Sequence, residues 1–105
     1  MRGDVYELRN DPRKQGHEQQ GSRYAVILQS DTLAISTVVA APTSTSARDA
    51  SYRPEIEIMG RRTKVLVEGM QSADPQKRLG RKIGRISPDE LVDVDRAARL
   101  VLGLF

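Results

Sequence analysis

A mainly β fold with helices, in which short strands form a small barrel finished by one C-terminal helix, is predicted by three features of this 105-residue sequence. Short apolar runs bounded by turn residues recur along the first two thirds of the chain. A strictly alternating segment, Glu55-Ile56-Glu57-Ile58, is followed by Gly60 and a second strand-like run, which is a hairpin signature. Near the end, Ser87-Pro88-Asp89-Glu90 opens an amphipathic segment with the marks of a helix start.

Taken in order, Gly3 to Leu8 reads as a first strand, ended by Asn10-Asp11-Pro12. The stretch from Arg9 to Ser22 is almost wholly polar, charged or glycine, a long loop for a small domain and therefore a candidate functional one. Arg23 to Gln29 and Thr37 to Ala41 read as central strands, because their continuous apolar character implies burial on both faces or at a subunit contact. Ser30-Asp31-Thr32 supplies the turn between them. Pro42 through Ser51, rich in Ser, Thr and Ala, reads as a second flexible loop that contains Thr43 near its start.

In the hairpin, Gly60-Arg61-Arg62 is expected to turn and Thr63 to Val67 to return. Asp74 to Arg78 reads as a helical turn, and Arg81 to Ile86 as a last short strand. Ser87 then caps a helix, with Pro88 at its first position and Glu90 completing the capping box. Leu91, Val94, Ala98 and Val101 form one apolar stripe that ends near Gly103. Residues 1–105 are expected to make a single domain, with no repeat or linker.

Composition narrows the function classes. Aromatics are 4% of residues, so the core must be built from Val, Ile, Leu and Ala, and a second subunit would supply useful burial. The absence of cysteine excludes a disulfide framework and a thiolate metal site, and the single histidine, His17, cannot form a zinc cluster alone. No metal or other cofactor is expected. No segment of signal-peptide or membrane-spanning length is visible, so the chain is expected in the cytoplasm. The net charge of +3, carried by thirteen arginines against four lysines, favours an anionic partner recognised through forked guanidinium contacts. The group Lys77, Arg78, Arg81, Lys82 and Arg85 suits RNA or an acidic protein segment equally.

Chemistry is concentrated in Gly16-His17-Glu18-Gln19-Gln20-Gly21-Ser22-Arg23, which runs directly into Ala25-Val26-Ile27-Leu28. The segment resembles the loop after the first strand in the MazF/PemK/Kid family of bacterial toxins, with its G-[HS]-E-Q-x-G-x-R-P pattern. Every fixed position matches except the last, where Tyr24 replaces proline. Arg2-Gly3-Asp4-Val5-Tyr6, Asp11-Pro12, Val38 to Thr43, Leu66-Val67-Glu68 and the C-terminal helix extend the resemblance along nearly the whole chain.

The resemblance implies an SH3-like barrel with a C-terminal helix, and the toxin component of a type II toxin-antitoxin system. It implies a sequence-selective, metal-independent endoribonuclease that cuts single-stranded messenger RNA, leaving a 2′,3′-cyclic phosphate and a 5′-hydroxyl. It further implies a homodimer and a cognate antitoxin whose acidic disordered tail covers the basic groove. Arg23 and Thr43 become the central catalytic pair. Arg23 suits electrostatic stabilisation rather than proton transfer, because a guanidinium is a poor base at neutral pH.

His17 is either an accessory proton carrier or a loop contact to RNA, and Glu18 either a base or a residue that orders the loop. Gln19, Gln20, Ser22 and Ser44 are assigned to RNA contacts; amides offer both donors and acceptors to base edges and 2′-hydroxyls. Kid-type relatives carry an Arg and an Asp where this sequence has Glu68 and Met70, which weakens a Kid-like acid-base assignment. Two alternatives stand beside this reading: a non-enzymatic CcdB-like toxin that binds a protein target such as DNA gyrase, and an inactive RNA-binding module.

Overall fold

A computed structural model describes residues 1–9 and 23–105. Seven strands occur among them: β1 Asp4–Leu8, β2 Tyr24–Ile27, β3 Val38–Ser44, β4 Glu55–Ile58, β5 Arg61–Val65, β6 Gln71–Ala73 and β7 Leu79–Arg85. A 3₁₀ turn, Val67–Gly69, separates β5 from β6, and helices α1, Pro75–Arg78, and α2, Pro88–Leu102, flank β7. The strands form one antiparallel half-barrel sheet in the order β4-β5-β3-β2-β1-β7, with β6 also on β3. The expected mainly β architecture with a C-terminal helix is the one observed.

Strand β3 organises the sheet. One edge pairs with β2, Ala25 opposite Pro42 and Ile27 opposite Ala40. The other edge is shared, since Val38 to Ala40 pair with β6 while Thr43 and Ser44 pair with β5. The 3₁₀ turn fills the gap between them, and there the Leu66 amide donates to the Pro42 carbonyl over 2.8 Å. A strand residue's nitrogen and carbonyl point to the same side, so the nitrogen of Pro42, which has no hydrogen, faces this interruption of the neighbouring strand. Proline is thereby accommodated inside a central strand.

This corrects the expected flexible loop over Pro42–Ser51. Pro42, Thr43 and Ser44 belong to β3, and the segment beyond them is tied down: the Ser44 hydroxyl accepts from the Ser46 and Ala47 amides, and Arg53 donates through Nη1 to the Arg48 carbonyl. The hairpin turn is Met59-Gly60 rather than Gly60-Arg61-Arg62, with Ile58 directly opposite Arg61. Both turn residues have positive φ, 51° and 80°, as a two-residue turn with primed twist requires. Strand β5 accordingly starts earlier than expected and stops at Val65, leaving Val67 in the 3₁₀ turn. Strand β2 is shorter than Arg23–Gln29, because the Leu28 and Gln29 amides both converge on the Val39 carbonyl and the ladder cannot continue.

The core lies mainly between the sheet and α2. Val5, Val26, Ala41, Ile56, Ile58, Val65, Val67, Ile86, Val94 and Ala97 are buried together, so aliphatic residues and alanine do build the interior. A second small cluster, Ala25, Ile27 and Ala40 with Tyr6, Leu8, Val38 and Leu79 packed on it, covers the opposite sheet face. The helix has its full capping box, and Gly103 closes it with φ of 71°. Its buried stripe is Leu91, Val94, Ala97 and Ala98; Val101 is exposed, since the last turn runs past the sheet. No helix among the described residues is long and apolar enough to cross a membrane.

Candidate functional site

The alternation of side chains across β1, β2 and β3 decides what Arg23 can reach. In β2, Tyr24 and Val26 face the helix-side core, whereas Ala25 and Ile27 face the second cluster. Successive residues point to opposite faces, so Arg23 belongs to the Ala25 face. The Leu8 amide donates to the Arg23 carbonyl over 2.9 Å, which continues the β1–β2 ladder beyond the Glu7–Tyr24 pair. On the other side, the β2–β3 pairing ends at Ala25–Pro42, and the same register continued past that pair sets Thr43 level with Tyr24 and Ser44 level with Arg23. Ser44 in turn pairs with Lys64, and Lys64 with Glu55. One row of residues thus crosses the sheet as Leu8, Arg23, Ser44, Lys64 and Glu55, all pointing away from α2.

Thr43 lies on the other face. It is 4% exposed, and its hydroxyl donates to the Tyr24 carbonyl over 3.3 Å, which ties β3 to β2 above the core. The structure therefore brings Arg23 together with Ser44, and turns Thr43 away from both. Ser44 accepts two amide hydrogens, from Ser46 at 3.3 Å and Ala47 at 3.1 Å, and its hydroxyl also meets the Ser46 hydroxyl at 3.5 Å, a long contact from which its hydrogen can turn to a better acceptor.

Arg23 is half-buried, and its Nε is buried without a hydrogen-bond partner among the described residues. A buried donor left unmade costs about 1–3 kcal/mol. An acceptor that reaches this nitrogen, such as a phosphate oxygen, recovers that cost. His17, Glu18, Gln19, Gln20 and Ser22, named from the sequence for proton transfer and RNA contact, lie outside the described residues.

Of the basic group near the C-terminal strand, Arg78, Arg81, Lys82 and Arg85 have partners and Lys77 is exposed. Arg81 pairs with Glu7 at 3.3 Å, while Lys82 and Arg85 approach the buried carboxylate of Asp4 at 3.4 and 3.9 Å. Arg78 donates to the Arg9 carbonyl. These contacts lie along the β1–β7 edge. Glu68 is held by Arg53 Nη2 at 2.6 Å, with Arg53 also lying over the Tyr52 ring. Met70 packs against the core.

Sequence reasoning missed Lys64 and its partner Asp49, whose carboxylate lies 3.1 Å from the ammonium. The alternation Thr63-Lys64-Val65 could have placed Lys64 off the core face, but its position beside Ser44 depends on the β3–β5 pairing. No group of three or more His, Cys, Asp or Glu residues that could hold a metal ion occurs among the described residues.

A family model described as PemK-like, MazF-like toxin of type II toxin-antitoxin system matches residues 1–102. A protein of Mycobacterium tuberculosis (strain ATCC 25618 / H37Rv), named as a candidate toxin, is 38% identical over 104 residues, covering 99% of this chain and 98% of its own. The endoribonuclease MazF of Staphylococcus epidermidis is 34% identical over 111 residues, covering 98% and 91%. Among solved structures, an endoribonuclease from a mycobacterial species in complex with its cognate antitoxin superposes with a TM-score of 0.75 at 21% identity, covering 100% of this chain and 96% of that one.

Proposed function

Because the chain belongs to the PemK-like, MazF-like toxin family of type II toxin-antitoxin systems, we propose that it is an endoribonuclease that cuts single-stranded messenger RNA at selected sequences without a metal ion. A relative at 34% identity bears the name endoribonuclease, which supports the activity. The observation that carries the reading is Arg23 just before β2, its Nε buried and without a partner among the described residues, on the sheet face that also carries Ser44.

In the proposed reaction the 2′-oxygen of a ribose bonds to the adjacent phosphorus and the bond to the 5′-oxygen breaks. The products are a 2′,3′-cyclic phosphate and a 5′-hydroxyl; one proton leaves the 2′-hydroxyl and one reaches the departing oxygen. Negative charge accumulates on the non-bridging oxygens in between. Arg23 stabilises that charge through its fixed donors, and Ser44 donates a neutral hydrogen bond to the same group. Ser44 takes the part expected of Thr43, since the latter's hydroxyl is spent inside the sheet. His17 and Glu18 are the candidates for the two proton transfers, and Gln19, Gln20 and Ser22 for contacts to RNA.

The partners follow from the same reading. A homodimer would bring two such faces together, and a cognate antitoxin with an acidic disordered tail would cover the cations of the site. The decisive experiment incubates purified protein with a long RNA in EDTA. Cleavage that persists in EDTA, fails on a 2′-deoxy substrate and is lost in Arg23→Ala is expected. No cleavage of any RNA by folded wild-type protein would overturn the reading, and inhibition of DNA gyrase in its place would identify the CcdB-like alternative.

A further inference from the structure

We propose that Lys64 is a second phosphate-binding residue on the face that carries Arg23, that it takes a phosphate neighbouring the one at Arg23, and that Asp49 occupies it until RNA arrives. The inference rests on the reading of the chain as an RNA-cutting toxin and adds to it a substrate-binding residue with an internal competitor.

Thr63 and Val65 are buried on the helix-side face, so Lys64 between them points to the opposite one. Ser44 pairs with Lys64, and the β2–β3 register continued past Ala25–Pro42 sets Arg23 on the other side of Ser44, so two strand spacings separate the cations' backbones by roughly 10 Å. Two cations at that separation, with a hydroxyl between them, suit successive phosphates of one strand better than a single group.

The Lys64 side chain is only 16% exposed, so its stem is packed and its ammonium directed, while its partner Asp49 is 91% exposed. Asp49 reaches it from an ordered segment, fixed at one end by the two amides on the Ser44 hydroxyl and at the other by Arg53 on the Arg48 carbonyl and on Glu68. A carboxylate and a phosphate offer an ammonium the same kind of oxygen. An ion pair with one member almost wholly in water is held weakly and exchanges readily. Asp49 therefore keeps Lys64 in position and neutralised, and yields it to a phosphate.

The test measures binding of a 2′-O-methyl RNA oligonucleotide, which lacks the attacking hydroxyl, by fluorescence anisotropy over a series of KCl concentrations. Each phosphate neutralised on a single strand adds about 0.7 to the slope of log affinity against log salt. Lys64→Met, which keeps the stem, should lower that slope by about 0.7 and weaken binding several-fold. Lys64→Arg should restore the slope, and Asp49→Asn should tighten binding at low salt. With cleavable RNA, Lys64→Met should raise KM while kcat stays near the wild-type value. Wild-type binding with an unchanged slope in Lys64→Met overturns this inference alone. Weaker binding by Asp49→Asn overturns the competitor's role. No RNA binding by the wild type overturns the underlying reading and this inference with it.

Discussion

The hydroxyl of Thr43 donates to the backbone carbonyl of Tyr24 across the β2–β3 ladder, at 3.3 Å and almost out of solvent. One residue further along each strand, Arg23 and Ser44 face the other way. Thr43→Val keeps the shape and removes the bond, so it should cost about 1 kcal/mol in urea denaturation. RNA cleavage should stay within a few-fold of wild type under conditions where the variant is folded. Loss of cleavage with intact stability would show that Thr43, not Ser44, serves the reaction.

Arg23→Ala and Ser44→Ala should show the converse pattern. Removing a charged donor to the developing phosphorane should lower kcat by about 10²-fold or more. Removing the neutral Ser44 hydroxyl should cost less, about tenfold, in keeping with the smaller worth of an uncharged hydrogen bond. Ser44 also organises the Ser46 and Ala47 amides, so the measurement that separates the roles is Ser44→Thr, which retains the hydroxyl and should retain most of the activity.

The contrast between Thr43 and Ser44 shows where the sequence was legible. Helix α2 could be read almost residue by residue, because the capping box, the first-position proline and the terminal glycine are local signals. The strict alternation of β4 was equally local. Pro42 has the sequence mark of a strand end, and only the interruption of the neighbouring strand explains its place inside β3. Strand β6, Gln71-Ser72-Ala73, has no strand pattern at all; it pairs because the 3₁₀ turn delivers it to the free edge of β3. Arg23 stands out in its motif, but which hydroxyl shares its face depends on register, where a shift of one residue exchanges the two faces of a strand.

Glu90 joins two elements. Its Oε1 accepts from the Ser87 amide in the capping box, and its Oε2 accepts from the Glu57 amide of β4 at 2.7 Å. Glu90→Ala should therefore destabilise the fold by about 1–2 kcal/mol, more than an ordinary exposed cap residue. Glu90→Gln keeps one acceptor oxygen and should recover part of the loss in urea denaturation. Equal loss in both variants would show that charge, not the paired acceptors, is what matters.

Asp4 makes stability depend on acid pH. Burial at 2% exposure opposes its ionisation, but the Met1 amino group at 3.1 Å and Lys82 outweigh that effect and hold its pKa below the ordinary 3.8. A depressed carboxylate pKa stabilises the fold above the unfolded value and loses that contribution as pH falls through the folded one. Asp4→Asn should be less stable than wild type by about 1–3 kcal/mol at pH 6, a figure discounted because its cationic partners are exposed. The difference should shrink as pH drops below about 4. A gap that stays constant from pH 6 to pH 3 would mean the carboxylate's charge is not what stabilises this edge.

Met59 carries a positive φ of 51° in the two-residue turn between β4 and β5, and it is 72% exposed. A side chain with an ordinary Cβ pays about 1–2 kcal/mol for that backbone region, whereas asparagine tolerates it and Asn-Gly is the favoured sequence for such a turn. Against this stands one contact, the Tyr24 hydroxyl at 3.9 Å from the Met59 sulfur, which is weak for a hydrogen bond. Relief of the backbone strain outweighs it, so Met59→Asn should stabilise the protein by about 0.5–1 kcal/mol and raise Tm by several degrees for a domain of this size. The turn lies at the far end of the hairpin from the Glu55–Lys64 pair, so RNA cleavage should be unchanged. A fall in Tm in a variant that still cleaves RNA would assign the sulfur contact a larger share of the hairpin's stability than its geometry suggests.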